Sequence, residues 1–288
     1  MSQSSSSIAS TRRPSFGASS VMNFAPVLPL GGLSGWSLLA RTFERQTDLF
    51  NKSPQIVRDT DYFEQNIGKI TTAEGLVSDR RLLRVALGAF GLQDDINSRA
   101  FIRTILEEGT IEKDTLANRL ADDRYKQLAE AFAFADRPIP RTQLSSFGTE
   151  ITEKFRRWEF EVAVGDQDQS LRLALNVQRE LEEIAGDGAA EDTRWFRILG
   201  NPPLRRVFEV ALGLPESFAQ ADLDRQLDEI KSRTSRQLNI GSLSDLTDTG
   251  VQEQLIRRFL LRDQVASFNV QSSQSIALTL LQSVPRRL

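Results

Sequence analysis

Residues 202–215 read PPLRRVFEVALGLP, and this run holds the fold in miniature. A proline at the first helical position has no amide to leave unsatisfied and a φ already set for a helix, so Pro202 or Pro203 opens one. Val207, Phe208 and Leu212 follow at helical spacing. Gly213 ends the run, because glycine reaches the left-handed cap conformation without steric cost.

The same grammar recurs. Residues 82–92 read LLRVALGAFGL and residues 204–214 read LRRVFEVALGL, with Leu, Arg, Val, Ala, Gly and Leu in register. Residues 160–165 (FEVAVG) nearly copy residues 208–213 (FEVALG). The intervals between these glycines are unequal, which argues against a regular solenoid. The reading is two related helical lobes, against a bland reading in which apolar helices with a glycine stop simply converge.

Working outward, helix signals fill both halves. Gly31, Gly32 and Gly35 mark a turn into a helix that presents Trp36, Leu39, Phe43 and Phe50 on one face. Ser53 with Pro54 caps a second, carrying Ile56, Phe63 and Ile67. A helix is expected from Thr72 through Leu76, Leu83, Leu87 and Phe90 to Gly91, and another from Asn97 to Gly109. Short helices follow at 115–120 and 123–134. Residues 136–140 cannot be helical, because Pro140 lacks a donor and restricts Ile139; they form the expected lobe boundary. Beyond them, helices are expected over 142–164 with Gly165 as a left-handed cap, from Asp166 or Gln167 to Gly186, around Trp195 to Gly200, and at 202–213, 223–234, 251–268 and 273–281. Residues 268–274, rich in Asn, Ser and Gln, read as a mobile joint between the last two. No stretch alternates with period two. The expected fold is therefore all-α, an irregular multi-helix bundle without a sheet. It comprises a disordered serine-rich tail (1–25), lobe 1 (26–136) and lobe 2 (141–288). Met1 and Met22 are the only two methionines, so Met22 is an alternative start.

Composition bounds the chemistry. The chain has 288 residues, 40% hydrophobic and 26% charged, with a formal net charge of −3. This is an ordinary globular balance and gives no general case for nucleic acid or a membrane surface. No cysteine and no histidine are present. Disulfides, thiolate nucleophiles, Cys-ligated metals and the commonest general base are therefore excluded. No segment approaches the ~20 apolar residues of a membrane helix. The stretch after Arg12 and Arg13 is broken by Gly17, Pro26 and Pro29, so it does not read as a secretory signal.

The remaining candidates for chemistry each have a plainer reading. The Gly31, Gly32, Gly35 cluster lacks the strand and the GK[ST] ending of a phosphate loop, so it reads as a turn. Asp94 with Asp95 and Asp122 with Asp123 lie at helix boundaries, where carboxylates cap amides. Arginine pairs recur at 80–81, 156–157, 205–206, 257–258 and 286–287, interleaved with Asp79, Glu159, Glu161 and Glu209. That pattern suits solvated faces, or protein interfaces, better than a nucleic-acid stripe. Trp36, Trp158 and Trp195 fall on apolar helical faces and read as core. No catalytic, metal or cofactor residue is assigned, and the chain is not expected to be an enzyme.

Taken as a set, several blocks have a family likeness: PLGGLSGW at 29–36, Ser53-Pro54 with Tyr62-Phe63, SDRRLL at 78–83 with AFGL at 89–92, FEVAVG at 160–165, and PPLR at 202–205 with ALGLP at 211–215. The chain resembles, over about 24–264, an alphaproteobacterial family of uncharacterised all-helical proteins whose genes often lie in flagellar clusters. The resemblance implies an all-α fold and protein partners in the flagellum, with no assigned ligand or site. The expected location is the flagellum or the cytoplasm. No nucleic acid, cofactor or membrane insertion is expected, and the residues specify no oligomeric state. The one element that reads as a partner-binding helix is the C-terminal stretch, with Val251, Leu255, Phe259, Ile276 and Leu280 as its anchors. Closure of the chain's own core is the first reading of that stretch, and docking on a partner the second.

Overall fold

The sequence encodes a succession of capped amphipathic helices, and the computed structural model contains them; it describes residues 24–120 and 122–283. In chain order the helices are α1 (Gly32–Asn51), α2 (Pro54–Asn66), α3 (Ala73–Ser78), α4 (Arg80–Ala89), α5 (Arg99–Glu108), α6 (Leu116–Arg119) and α7 (Asp123–Phe132). Then come α8 (Phe147–Gly165), α9 (Gln169–Gly186), α10 (Glu191–Gly200), α11 (Pro202–Leu212), α12 (Leu223–Leu238) and α13 (Thr249–Ser283). Short 3-10 turns join several of them, and no strand occurs among the described residues. The expected serine-rich tail falls on residues 1–23, which lie outside those described, apart from Phe24 and Ala25; Phe24 packs against the core.

Short polar side chains set the helix starts. Thr72 accepts the Gly75 amide at 3.1 Å, Asp168 accepts the Ser170 amide at 2.9 Å, and Asn201 accepts the Leu204 amide at 3.2 Å. Each satisfies a donor that the first helical turn leaves free. The helix read as running unbroken from Thr72 to Phe90 is two helices. Asp79 divides it with extended backbone (φ −93°, ψ 103°) and takes the amides of Arg81 and Leu82 at 2.9 and 3.1 Å. The helix expected from Thr142 starts at Phe147, and the one expected from Asn97 starts after Ser98.

Two of the three predicted left-handed glycine caps are present, Gly91 at φ +69° and Gly213 at φ +63°. Gly165 is instead the last residue of α8 and has no positive φ; the chain turns only afterwards, with the Asp168 amide bonding the Val164 carbonyl at 2.9 Å. The predicted joint at 268–274 is likewise helical, within an unbroken α13. Neither Gly nor Pro occurs between Val251 and Val284; Asn and Ser lower helix propensity without ending a helix, and Gln is a good helix former.

One continuous core holds the helices together. It runs from Trp36 and Leu39 through Phe155 and Phe160 to Phe259 and Leu260, across the segment 136–140 read as a lobe boundary. Phe160 of α8 meets Phe43 and Phe50 of α1 edge-on, with centroids 5.6 and 5.5 Å apart, an arrangement that suits the ring quadrupoles. α8 also packs on α2 and α4, and α9 lies against α8, α11 and α13. A small satellite cluster of Ile105, Ala117 and Ala129 sits under α5–α7.

Candidate functional site

The helix singled out by the sequence is divided by its own packing. Its first turns close the core: Leu255, Ile256 and Phe259 are fully buried, and Val251 is half-buried against them. Two of the predicted anchors, Leu255 and Phe259, are thus sealed inside the body and out of a partner's reach. Ile276 and Leu280 lie on helical backbone, with side chains outside those described.

The exposed apolar positions come between these groups. Leu261, Val265 and Phe268 are 50%, 60% and 62% exposed. Their spacing, i, i+4 and i+7, puts them on one face. Sequence reading missed them by placing its anchors on either side, at Val251, Leu255 and Phe259 and at Ile276 and Leu280. The available signal was the run after Asp263, which holds apolar residues and no charge.

Polar contacts mark where α13 leaves the body. The Ser170 hydroxyl donates to Asp263 at 2.7 Å, and Arg206 stands 3.6 Å from the same carboxylate. Arg258 bonds Gln237, and the Trp36 indole donates to Glu253 at 2.8 Å. Gln264 rests on Gly32, where a Cβ would come within 2.9 Å of the Gln264 Oε1. Beyond Gln264, residues 265–268 are all exposed, while the backbone continues as helix to Ser283.

The other candidates resolve into scaffolding. Asp122 caps α7 through the Arg124 amide at 3.0 Å, and Asp95 accepts the Tyr125 hydroxyl at 2.7 Å. Burial, and then that bond, push Tyr125 up to about 12. The arginine pairs serve intramolecular contacts: Arg81 stacks 3.7 Å over the Tyr62 ring, Arg156 donates to Thr60 at 2.9 Å, and Arg205 donates to Gln226 at 3.0 Å. Arg286 and Arg287 lie outside the described residues. Trp36 and Trp195 are buried in the core. Trp158 lies half-buried under Arg179, whose guanidinium is 4.6 Å from the ring and also bonds Glu161 at 2.9 Å. Burial raises both Glu159 and Glu180; Glu180 is held by Arg179 and Asn201, and neither carboxyl lines the hollows described next.

The best-formed hollows among the described residues are shallow. One of about 170 Å³ is lined by Glu74, Ser78, Arg99 and Arg103, and one of about 280 Å³ by Arg80, Arg84, Gln93 and Ile96. Both fall below the usual size of a small-molecule site, roughly 300–1,000 Å³. In the first, Arg103 is already paired with Glu74 at 2.8 Å; in the second, Arg84 is paired with Asp59 at 3.1 Å. No helix of the described residues is long and apolar enough to cross a membrane.

Comparison with known proteins agrees with this geometry. The X-ray crystal structure of a protein from Agrobacterium tumefaciens is similar, with a TM-score of 0.65 and 27% identity over 80% of this chain and 91% of that one. No curated protein matches the chain. A family model described as "Protein of unknown function (DUF1217)" matches residues 89–251, more than half of the sequence, so the chain belongs to the DUF1217 family.

Proposed function

We propose that this chain is a non-enzymatic protein of the bacterial flagellum that works through protein–protein contact, as a structural component, an export substrate or an assembly factor. The observation that carries the interaction reading is α13. It continues as helix past Leu260, the last buried side chain among the described residues, and presents Leu261, Val265 and Phe268 to solvent. An exposed apolar stripe on a helix is the element that docks in partner grooves. The flagellar assignment draws on the sequence likeness to proteins whose genes often lie in flagellar clusters. The non-enzymatic assignment draws on carboxylates engaged as caps and on arginines engaged in pairs.

The test is truncation after Gln264, which keeps the contacts between α13 and the body made by Glu253, Arg258, Asp263 and Gln264. The truncated protein is expected to melt within a few degrees of the full chain, and to lose both motility support and capture of flagellar proteins from motile cells. Full motility with the truncated chain refutes α13 as the binding element. A cytosolic adaptor that is never exported is the alternative. Fractionation of cells with and without a working flagellar export gate separates the two.

A further inference from the structure

We propose that the corner where α13 crosses the end of α11 is a docking site for a carboxylate-bearing segment of a partner protein. This rests on the reading of protein contact and names the chemistry of one such contact. Three arginines and a glutamine gather there. Arg233 of α12 donates to the Gly213 carbonyl at 3.0 Å, and Gln237, one turn on, donates to that of Leu212 at 3.0 Å. Arg258 of α13 bonds Gln237 in turn. Arg262 stands one turn further along the same side of α13, and a Cβ on Gly213 would overlap its guanidinium.

The carbonyls at a helix C-terminus attract cations, which accounts for the gathering of guanidiniums. It does not account for the counter-charge that is missing. Glu209 pairs with Arg205, Glu229 with Arg233, Glu253 with Arg257 and Asp263 with Arg206. Among the described residues no carboxylate pairs with Arg258 or Arg262, and Arg262 is exposed.

The end of α4 is built on the same plan and shows what completes such a corner. Asp79 and Asn201 cap the two helices at φ −93° and −96°, with ψ 103° in both, and each stands twelve positions before its left-handed glycine. The Leu92 amide bonds the Leu87 carbonyl and the Leu214 amide bonds the Glu209 carbonyl, both at 2.9 Å. An arginine caps each glycine carbonyl, Arg124 at Gly91 and Arg233 at Gly213. A long helix crosses each glycine, α8 with Trp158 and α13 with Arg262. At the first corner the covering guanidinium, that of Arg179, is neutralised by Glu161 at 2.9 Å and by Glu180. The second corner lacks that pair of carboxylates, and a partner supplies them. The planar fork of arginine suits a carboxylate through two parallel bonds. A phosphate backbone needs a continuous basic stripe, which Glu229, Glu253 and Asp263 interrupt on these same helices.

The test is fluorescence anisotropy of the full chain with a short fluorescein-labelled peptide of alternating Glu and Ala. At low salt the native chain is expected to bind it, and to bind the matching Gln–Ala peptide at least about tenfold more weakly. Arg262→Glu is expected to weaken binding of the Glu peptide at least about tenfold. Arg262→Gln, which removes the charge without adding its opposite, should weaken it about threefold or more, and serves if Arg262→Glu lowers the melting temperature. Arg137→Glu, the same charge change on the loop after α7, should bind as the native chain does. Truncation after Gln264 keeps both arginines and should leave peptide binding intact whatever its motility, so the site and the functional reading fail separately. A native chain that binds both peptides alike overturns the proposal. So does an Arg137→Glu protein that loses as much as Arg262→Glu. A single-stranded oligonucleotide, or phosphatidylglycerol vesicles, that displace the Glu peptide at lower concentration than unlabelled peptide overturn it in favour of phosphate groups.

Discussion

Substitution of Gly91 by Ala tests how α4 is locked onto α8. Gly91 sits at φ +69°, where a side chain with a Cβ costs about 1–2 kcal/mol. The added Cβ would also come 2.7 Å from Cε2 of Trp158, with Cζ2 and Cη2 closer still. The ring cannot easily retreat, because Arg179 covers it at 4.6 Å. Nor can the backbone, because the Gly91 carbonyl accepts from Arg124 at 2.5 Å. Overpacking of this kind costs about 1–3 kcal/mol, and the stiffer unfolded chain returns about 0.4–1 kcal/mol. The expected net loss is about 2–4 kcal/mol, or roughly 5–15 °C in Tm. Gly200→Ala is the internal control, since it closes α10 without positive φ and a Cβ there meets nothing within 4 Å. It should stabilise by about 0.5–1 kcal/mol. Urea unfolding followed by tryptophan fluorescence, with calorimetry alongside, measures both. A Gly91→Ala protein within about 0.5 kcal/mol of native, or a control that loses as much, refutes the reasoning.

Leu255→Ala and Phe259→Ala should each cost about 2–5 kcal/mol, while Val265→Ala and Phe268→Ala should stay within about 0.5 kcal/mol; equal losses at all four sites in denaturant titrations contradict the division of α13. Asp79→Ala should lose about 1–2 kcal/mol, because two amide caps and the 2.7 Å bond from the Tyr62 hydroxyl go together. Burial works to raise Asp79, but the Tyr62 hydroxyl and the amides of Leu82 and Arg81 outweigh it and hold the group below the usual carboxylate range. Its stabilisation is therefore present above about pH 3.9 and is lost as pH falls through the lower folded value; acid titration of Asp79→Ala should lack that part of the loss. At the alkaline end, Tyr125 should resist ionisation until about pH 12, as read by ultraviolet absorbance. The folded state holds that proton more tightly, so stability should fall as pH rises from about 10, where the unfolded tyrosine titrates, towards the folded value.

The fold class was legible because its signals are local. Ser53-Pro54, Pro202 with Gly213, and the apolar positions on each helix specify their elements within a few residues. What escaped depends on neighbours. The break at Asp79 could not be read from propensity, because that residue is held by Tyr62, which comes from another helix. Gly165 has the same sequence context as Gly213, yet only Gly213 takes the left-handed turn; the wrap from Val162 to Asp168 replaces it. The interaction face was half legible. Periodicity placed an amphipathic helix at Val251, but only tertiary packing shows that Leu255 is inside and Val265 outside.

The bond from Trp36 to Glu253 spans 217 positions of the chain. Ribosomes add about 5–20 residues each second, so the first helix waits roughly 10–40 s for its partner to be made. During that interval Trp36 and Leu39, both buried in the finished protein, have no final seat. The nascent chain therefore leaves the side of α1 that meets α13 uncovered from early in synthesis until nearly the end. Whatever escorts this protein has its longest opportunity at the N-terminal end, before the last helix docks and closes the door.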